Sequence, residues 1–159
     1  DGFGMKLVYS DARRNTDMEK AFKATQLPLE KLLEVSDFVS LHVPLLPSTQ
    51  HLISTAEFAS MKKTAFLVNT ARGPVVDEKA LLRAIKTKRI AGAALDVFEC
   101  EPAIDCDVSD NLELKSYPNI ILTPHIASAT IEAREAMSMV AAENIIAVLE
   151  GKPALNPAK

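Results

Sequence analysis

A chain of 159 residues has room for one domain with a substantial core and hardly for two. With 48% hydrophobic and 25% charged residues and a net charge of −3, it has no basic surface suited to nucleic acid. No apolar run approaches the ~20 residues that a membrane-spanning helix needs, and the first residues lack the charged-then-apolar order of a signal peptide.

Taken in chain order, strands alternate with helices. Gly2, Phe3 and Gly4 read as the end of a helix, and residues 6–10 (KLVYS) as a short strand. Pro28 opens a helix over 29–35, with leucines at 29, 32 and 33. Residues 37–43 (DFVSLHV) form the next strand, stopped by Pro44 and Pro47. A helix over 55–61 precedes a strand at 65–69, and Asp77 caps a helix with Leu81, Leu82 and Ile85 on one face. Strands follow at 90–98 (IAGAALDVF) and 119–123 (NIILT). The segment 128–149 places Met137, Val140, Ala141, Ile145 and Val148 on one stripe, which predicts a long amphipathic helix stopped at Gly151 and Pro153.

Apolar strands alternating with helices predict an α/β fold with a doubly wound, Rossmann-like parallel sheet covered on both faces. Such sheets bind ligands at the carboxyl ends of their strands. Four strands end in polar residues that a core does not require: Asp11 after KLVYS, Arg72 after FLVNTA, Asp96 and Glu101 after IAGAAL, and His125 after NIILTP. Arginine grips a carboxylate with a planar fork and polarises a neighbouring carbonyl. Histidine exchanges a proton as carbonyl and alcohol interconvert, and a carboxylate beside it favours the imidazolium. Arg72, His125 and Glu101 therefore suit reduction of a small 2-oxo acid to its 2-hydroxy acid by an external hydride donor, a nicotinamide. Asp11, at the end of a strand in a dinucleotide-binding sheet, would accept hydrogen bonds from ribose hydroxyls and repel a 2′-phosphate, which favours NAD. Arg13 and Arg14, close behind it, keep NADP open as the less favoured cofactor.

The blocks GFGMK at 2–6, LHVPLLPSTQHLI at 41–53, NTARGPVVDEKAL at 69–81, AGAALDVFECEP at 91–102 and LTPHIAS at 122–128 resemble the D-isomer-specific 2-hydroxyacid dehydrogenases, the family of glyoxylate, hydroxypyruvate and phosphoglycerate dehydrogenases. The resemblance implies that Arg72 anchors substrate, Glu101 orients, His125 is the acid–base residue and Asp11 binds ribose. It also implies that Val43 and Pro44 line the adenine and pyrophosphate side. Thr70, Ala71 and Arg72 would line the nicotinamide side, Asp96 would sit near the carboxamide, and His125, Ala127 and Ser128 would belong to a return loop over the ring. Two cysteines without a disulfide framework and no signal-peptide pattern make a cytoplasmic protein the default. Composition argues against nucleic acid and membrane as partners, and the resemblance implies a homodimer at full length and small-molecule substrates. The C-terminal block looks more like the glyoxylate and hydroxypyruvate reductases. NAD-sensing transcriptional corepressors share the scaffold and the three residues, and an inactive truncation product is a further alternative.

A glycine-rich phosphate loop should precede the ribose acid by about 20 residues. Only ten residues precede Asp11, so the chain reads as a fragment without its first strand and glycine turn, with weak cofactor binding and no turnover of its own. Its domains are expected as a truncated dinucleotide-binding domain over 1–127 and, over 128–159, a helix and tail that pack back towards a substrate domain. Asp105, Asp107 and Asp110 lack the Gly and Glu of a calcium loop, so 103–118 reads as a solvated connection. No Cys/His spacing suggests zinc. Cys100 and Cys106 read as unpaired thiols, His42 as a loop residue or cofactor contact, and His51 as a surface residue in a helical turn. Met61, Met137 and Met139 read as core.

Overall fold

The computed structural model describes residues 2–101 and 113–157. Asp105, Asp107, Asp110 and Cys106 lie outside the described residues. The chain divides into two compact units, Asp1–Pro124 and His125–Lys159.

The first unit runs β1 (Val8–Tyr9), α1 (Thr16–Phe22), β2 (Thr25–Gln26), α2 (Leu29–Val35), β3 (Phe38–Leu41), α3 (Thr55–Ser60) and β4 (Phe66–Asn69). A 3₁₀ turn (Gly73–Val75), α4 (Glu78–Lys86), β5 (Gly92–Leu95) and β6 (Ile120–Leu122) follow. Among the described residues, β1 and β2 form a two-stranded parallel sheet, and β3-β4-β5-β6 a four-stranded parallel sheet in chain order. Each expected strand and helix of this unit is present, most of them shorter than the apolar run that announced it. Two elements had no apolar signal. Helix α1 starts where the Asn15 side chain accepts from Met18 N–H, ends at Lys23 with φ 54° and buries no residue; β2 is two exposed residues.

The parallel register sorts the four-stranded sheet into two faces. Val39, Leu67 and Ala93 align across β3, β4 and β5, as do Leu41, Asn69 and Leu95, and all six are buried. Leu32 and Leu33 of α2, Phe58 of α3, and Leu81, Leu82 and Ile85 of α4 share the core with the apolar members of these rows. Met61 joins them as expected. The alternate rows, Phe38–Phe66–Gly92 and Ser40–Val68–Ala94–Ile121, lie on the other face, where Phe38 is 61% and Ile121 64% exposed. In this chain Phe38, Ser40, Phe66 and Ile121 of these rows are exposed, Val68 and Ala94 are half-buried and Gly92 is buried. An unbroken apolar run identifies residues that tolerate burial on either side, not the elements that cover them. Part of this face shields itself. The rings of Phe38 and Phe66 stack with centroids 5.6 Å apart, and Phe66 crosses Gly92, where a Cβ would stand 3.0 Å from the ring and 2.3 Å from the Asn119 carbonyl oxygen.

In the second unit, α5 (Ile131–Leu149) begins where the Thr130 side chain accepts from Ala133 N–H and gives way to Gly151 at φ 76°. The single apolar stripe is not found. Met137, Met139, Val140, Ile145, Ile146 and Val148 are all exposed, and Ala147 alone of the helix is buried. At about 100° per residue, Met137 and Met139 point to nearly opposite sides, so the pattern is apolar all round rather than amphipathic. Met137 and Met139 are therefore not core. The tail returns to the helix, with Asn156 N–H donating to Asn144 Oδ1 (2.9 Å).

Cys100 is held in a disulfide, which corrects its reading as an unpaired thiol. No helix among the described residues is long and apolar enough to cross a membrane.

The two faces predict unequal costs for truncation. Leu67→Ala, at a position with no exposed surface, should lower unfolding free energy by about 2–5 kcal/mol, whereas Phe38→Ala should cost about 0.5–1.5 kcal/mol, the value of an aromatic pair. Urea unfolding of the two variants checks this, and equal losses would contradict an open second face.

Candidate active site

The end of β4 is shaped by a buried polar side chain. Asn69 is 1% exposed; its Nδ2 donates to the Arg72 carbonyl (3.0 Å) and its Oδ1 accepts from Ala71 N–H (3.0 Å). The Asn69 carbonyl accepts from Asp96 N–H (3.0 Å), tying β4 to the end of β5. The side chain thus supplies the partners that the backbone loses where the strand stops. The turn it closes puts Arg72 in the open. Arg72 Nη1 donates to the Ala71 carbonyl (2.7 Å), and no carboxylate pairs with the guanidinium among the described residues. Arg72, Thr70 and Ala71 line a cavity of about 600 Å³ with Val43 and Pro44 from the end of β3, flanked by His42 and Leu45. The His42 ring also bonds the Ser40 hydroxyl (2.8 Å).

Gly73 joins this turn to the segment that carries Glu101. A Cβ on Gly73 would lie 1.8 Å from the Phe98 carbonyl oxygen and 2.4 Å from Glu99 N, so only glycine lets the two backbones touch. Phe98 N–H donates to Glu101 Oε2 (3.3 Å). Glu99 and Glu78 exchange bonds, with Glu99 N–H to Glu78 Oε1 (2.6 Å) and Glu78 N–H to Glu99 Oε2 (3.3 Å). The Glu99 carboxylate also bonds the His51 ring, while His51 N–H donates to the Pro74 carbonyl (2.8 Å). His51 is exposed in a turn, as expected of a surface residue, and it also clasps two loops; its φ of 50° marks a left-handed turn residue. Asp96 is 4% exposed and accepts from the Thr123 hydroxyl.

Asp77, the N-cap of α4, accepts from Ala80 N–H (2.9 Å) and from the Ser54 hydroxyl (2.8 Å). Burial pushes its carboxyl up, but these bonds and the His51 and Arg83 charges prevail and hold it below the usual range.

Asp11 lies beyond the end of β1, exposed, with Oδ1 accepting from Arg13 N–H (2.9 Å) and its carbonyl accepting from Gln26 Nε2 (3.0 Å). That leaves Oδ2 directed at no donor among the described residues, as a ribose-binding carboxylate requires. His125, Ala127 and Ser128 fall in the second unit, where His125 opens the chain at φ 52°. Of the expected site residues, the first unit thus gathers Val43, Pro44, Thr70, Ala71 and Arg72 around one cavity and links them through Gly73 to Glu101. Asp11 stands on the separate two-stranded sheet. Asn69, Gly73, Glu78, Glu99 and His51 were not marked as site-forming from sequence. A buried-strand Asn followed by a Gly four positions later is the one signal that pointed at the turn.

The exposed guanidinium of Arg72 beside Thr70, Ala71, Val43 and Pro44, together with the exposed carboxylate of Asp11, is a donor and acceptor set of the kind a dinucleotide can use. Among the described residues, no group of three or more His, Cys, Asp or Glu could hold a metal.

Residues 1–127 match the family description "D-isomer specific 2-hydroxyacid dehydrogenase, NAD binding domain". The chain belongs to that family, and the matched part is the family's NAD-binding domain. It is 52% identical over 156 residues to a glyoxylate reductase of Thermofilum pendens, which covers 96% of this chain and 44% of the relative. A glyoxylate reductase of Korarchaeum cryptofilum is likewise 52% identical, over 151 residues, covering 95% and 44%. Among solved structures, the NAD-complexed D-isomer specific 2-hydroxyacid dehydrogenase of Lactobacillus delbrueckii ssp. bulgaricus superposes with a TM-score of 0.90 at 31% identity, covering 99% of this chain and 50% of that one. The holo D-mandelate dehydrogenase of Rhodotorula graminis gives 0.87 at 42% identity, covering 99% and 45%. The chain thus spans less than half the length of the curated relatives it matches.

Two predictions follow from this geometry. Gly73→Ala should separate the Arg72 turn from Phe98 and lower unfolding free energy by about 1–3 kcal/mol or more; a melting temperature equal to wild type would refute the contact. Because the folded Asp77 pKa lies below its unfolded value of about 3.9, Asp77 stabilises the fold above that value, and its contribution fades as pH falls through the folded pKa. The stability gap between wild type and Asp77→Asn in urea should therefore be larger at pH 7 than at pH 3, and a gap that widens on acidification would contradict it.

Proposed function

We propose that this chain supplies the cofactor-binding part of an oxidoreductase that interconverts a small D-2-hydroxy acid and its 2-oxo acid, with glyoxylate or hydroxypyruvate as the favoured substrates. The observation that carries the reading is Arg72, an exposed guanidinium at a cavity rim at the carboxyl end of β4, with no acidic partner among the described residues. A guanidinium so placed is matched to a ligand carboxylate, which it grips through two parallel N–H donors. Its charge also polarises the adjacent 2-oxo group.

In this reading NAD, when bound, takes up or delivers the hydride at C2. The chain's own residues do the rest. Arg72 fixes the carboxylate and so the face presented to the cofactor. His125 gives a proton to the carbonyl oxygen during reduction and takes it back during oxidation. Glu101 favours the charged imidazolium and orients the ring. Asp11 holds the ribose hydroxyls, Val43 and Pro44 face the adenine and pyrophosphate side, and Thr70 and Ala71 border the nicotinamide. Asp96 stands near the carboxamide, and Ala127 and Ser128 continue the loop from His125 over the ring. We assign 128–159 to a helix and tail that pack against a substrate domain, in agreement with the exposed apolar surface of α5. The preference for NAD over NADP, a cytoplasmic location and a homodimer belong to the same reading.

In the full-length protein, Arg72→Ala should raise KM for glyoxylate and lower kcat/KM by at least about a hundredfold, and His125→Ala should lower kcat by about 10²–10⁴. Steady-state kinetics with NADH and glyoxylate measure both. An Arg72→Ala enzyme within twofold of wild type would remove the assignment.

A further inference from the structure

Two arginines follow Asp11, and the structure restrains one of them. Arg14 Nε donates to both carboxylate oxygens of Glu19 (3.0 Å each), and its Nη2 donates to Oε2 (2.8 Å). Glu19 Oε1 also accepts the Tyr9 hydroxyl (2.8 Å), whose oxygen accepts Asn15 N–H (2.8 Å). Glu19 sits on α1, with its own N–H on the Asn15 carbonyl (3.1 Å). The acceptor is therefore anchored to β1 through Tyr9 and to the start of α1 through Asn15. Its side chain is 19% exposed against 70% for Arg14, so the glutamate is the fixed partner and the arginine the one that is held. The bonds from Arg14 and then Tyr9 keep the Glu19 carboxyl below the usual range, so it is ionised at neutral pH.

Asp11 is three residues before Arg14 and two after Tyr9, at the place where an adenosine ribose is read. We propose that Glu19 is a cofactor-selectivity residue: by occupying the Arg14 fork it keeps that guanidinium from turning to a 2′-phosphate, so Arg14 does not offset the repulsion of that phosphate by Asp11. Glu19 is a positioning residue here, acting through Arg14 and touching no cofactor atom. Arg13, whose side chain has no hydrogen bond or ion pair among the described residues, sets the residual affinity for a phosphorylated ribose. This inference rests on the assignment of Asp11 to the ribose hydroxyls.

The experiment is equilibrium binding of NADH and NADPH to the full-length protein, followed by fluorescence, with 2′,5′-ADP and 5′-ADP as competitors. Glu19→Gln keeps the shape and removes the charge; it should raise affinity for NADPH and 2′,5′-ADP by on the order of tenfold, the scale of a charge-assisted Arg–phosphate contact, with NADH changed less than twofold. Adding Arg14→Ala to it should abolish the gain. Arg14→Ala alone should leave the NADH-to-NADPH affinity ratio unchanged, because the side chain is already withheld. Unchanged selectivity in Glu19→Gln, a gain that survives loss of Arg14, or a several-fold loss of NADPH binding in Arg14→Ala alone would each overturn the proposal. The last arm needs no change at Glu19, so it decides the matter even where Glu19→Gln does not fold. Asp11→Asn is the separate control: it should weaken NADH, and unaltered NADH binding there would overturn the ribose assignment itself.

Discussion

Everything at the carboxyl end of the four-stranded sheet depends on how closely the backbone at Gly73 approaches the carbonyl of Phe98. The contact leaves no space for a Cβ, and it docks the loop after β4, which carries Arg72, against the loop after β5, which carries Glu101. Around it the chain satisfies its own polar groups. Asn69 closes the first loop, Glu99 and Glu78 hold the second by exchanging bonds, and the His51 ring fastens Glu99 from a third segment. The side chain that remains exposed, without an acidic partner among the described residues, is the guanidinium suited to a ligand. A buried asparagine holds the backbone of this turn through the Arg72 carbonyl and Ala71 N–H, and the Arg72 side chain is left exposed.

The end of β1 is built on a different principle. At the end of β1 the charges are set against one another within a few residues, with Asp11 exposed, Arg14 bound to Glu19, and Glu19 bound to Tyr9. The same short segment contains an acid that repels a phosphate and arginines that would attract one. Which tendency prevails depends on hydrogen bonding and not on composition.

The sequence showed the fold class, the main strands of the four-stranded sheet and the position of Arg72, because apolar runs and strand-end polar residues carry direct physical meaning. It did not show α1 and β2, which bury almost nothing and so leave no hydrophobic period to read. Phe38, Phe66 and Ile121 look like core residues in the sequence and are exposed in this chain, because an apolar residue does not say what covers it. The stripe expected on α5 failed for a related reason: nearly every side of that helix is apolar, so a stripe can be drawn on any of them. The roles of Asn69, Gly73, Glu78, Glu99 and His51 could not be read from sequence, because each depends on contacts between segments distant in the chain. Arg14 was legible only as a cation near a ribose acid, and its restraint by Glu19 needed coordinates.

The most direct test of the account is a crystal structure of the full-length protein with NAD and oxalate, a carboxylate analogue of the 2-oxo acid. The account predicts both guanidinium donors of Arg72 on one oxalate carboxylate at about 2.7–2.9 Å, with the Asn69 bonds and the Gly73–Phe98 contact retained. Oxalate held by other residues, with Arg72 turned to solvent, would contradict it.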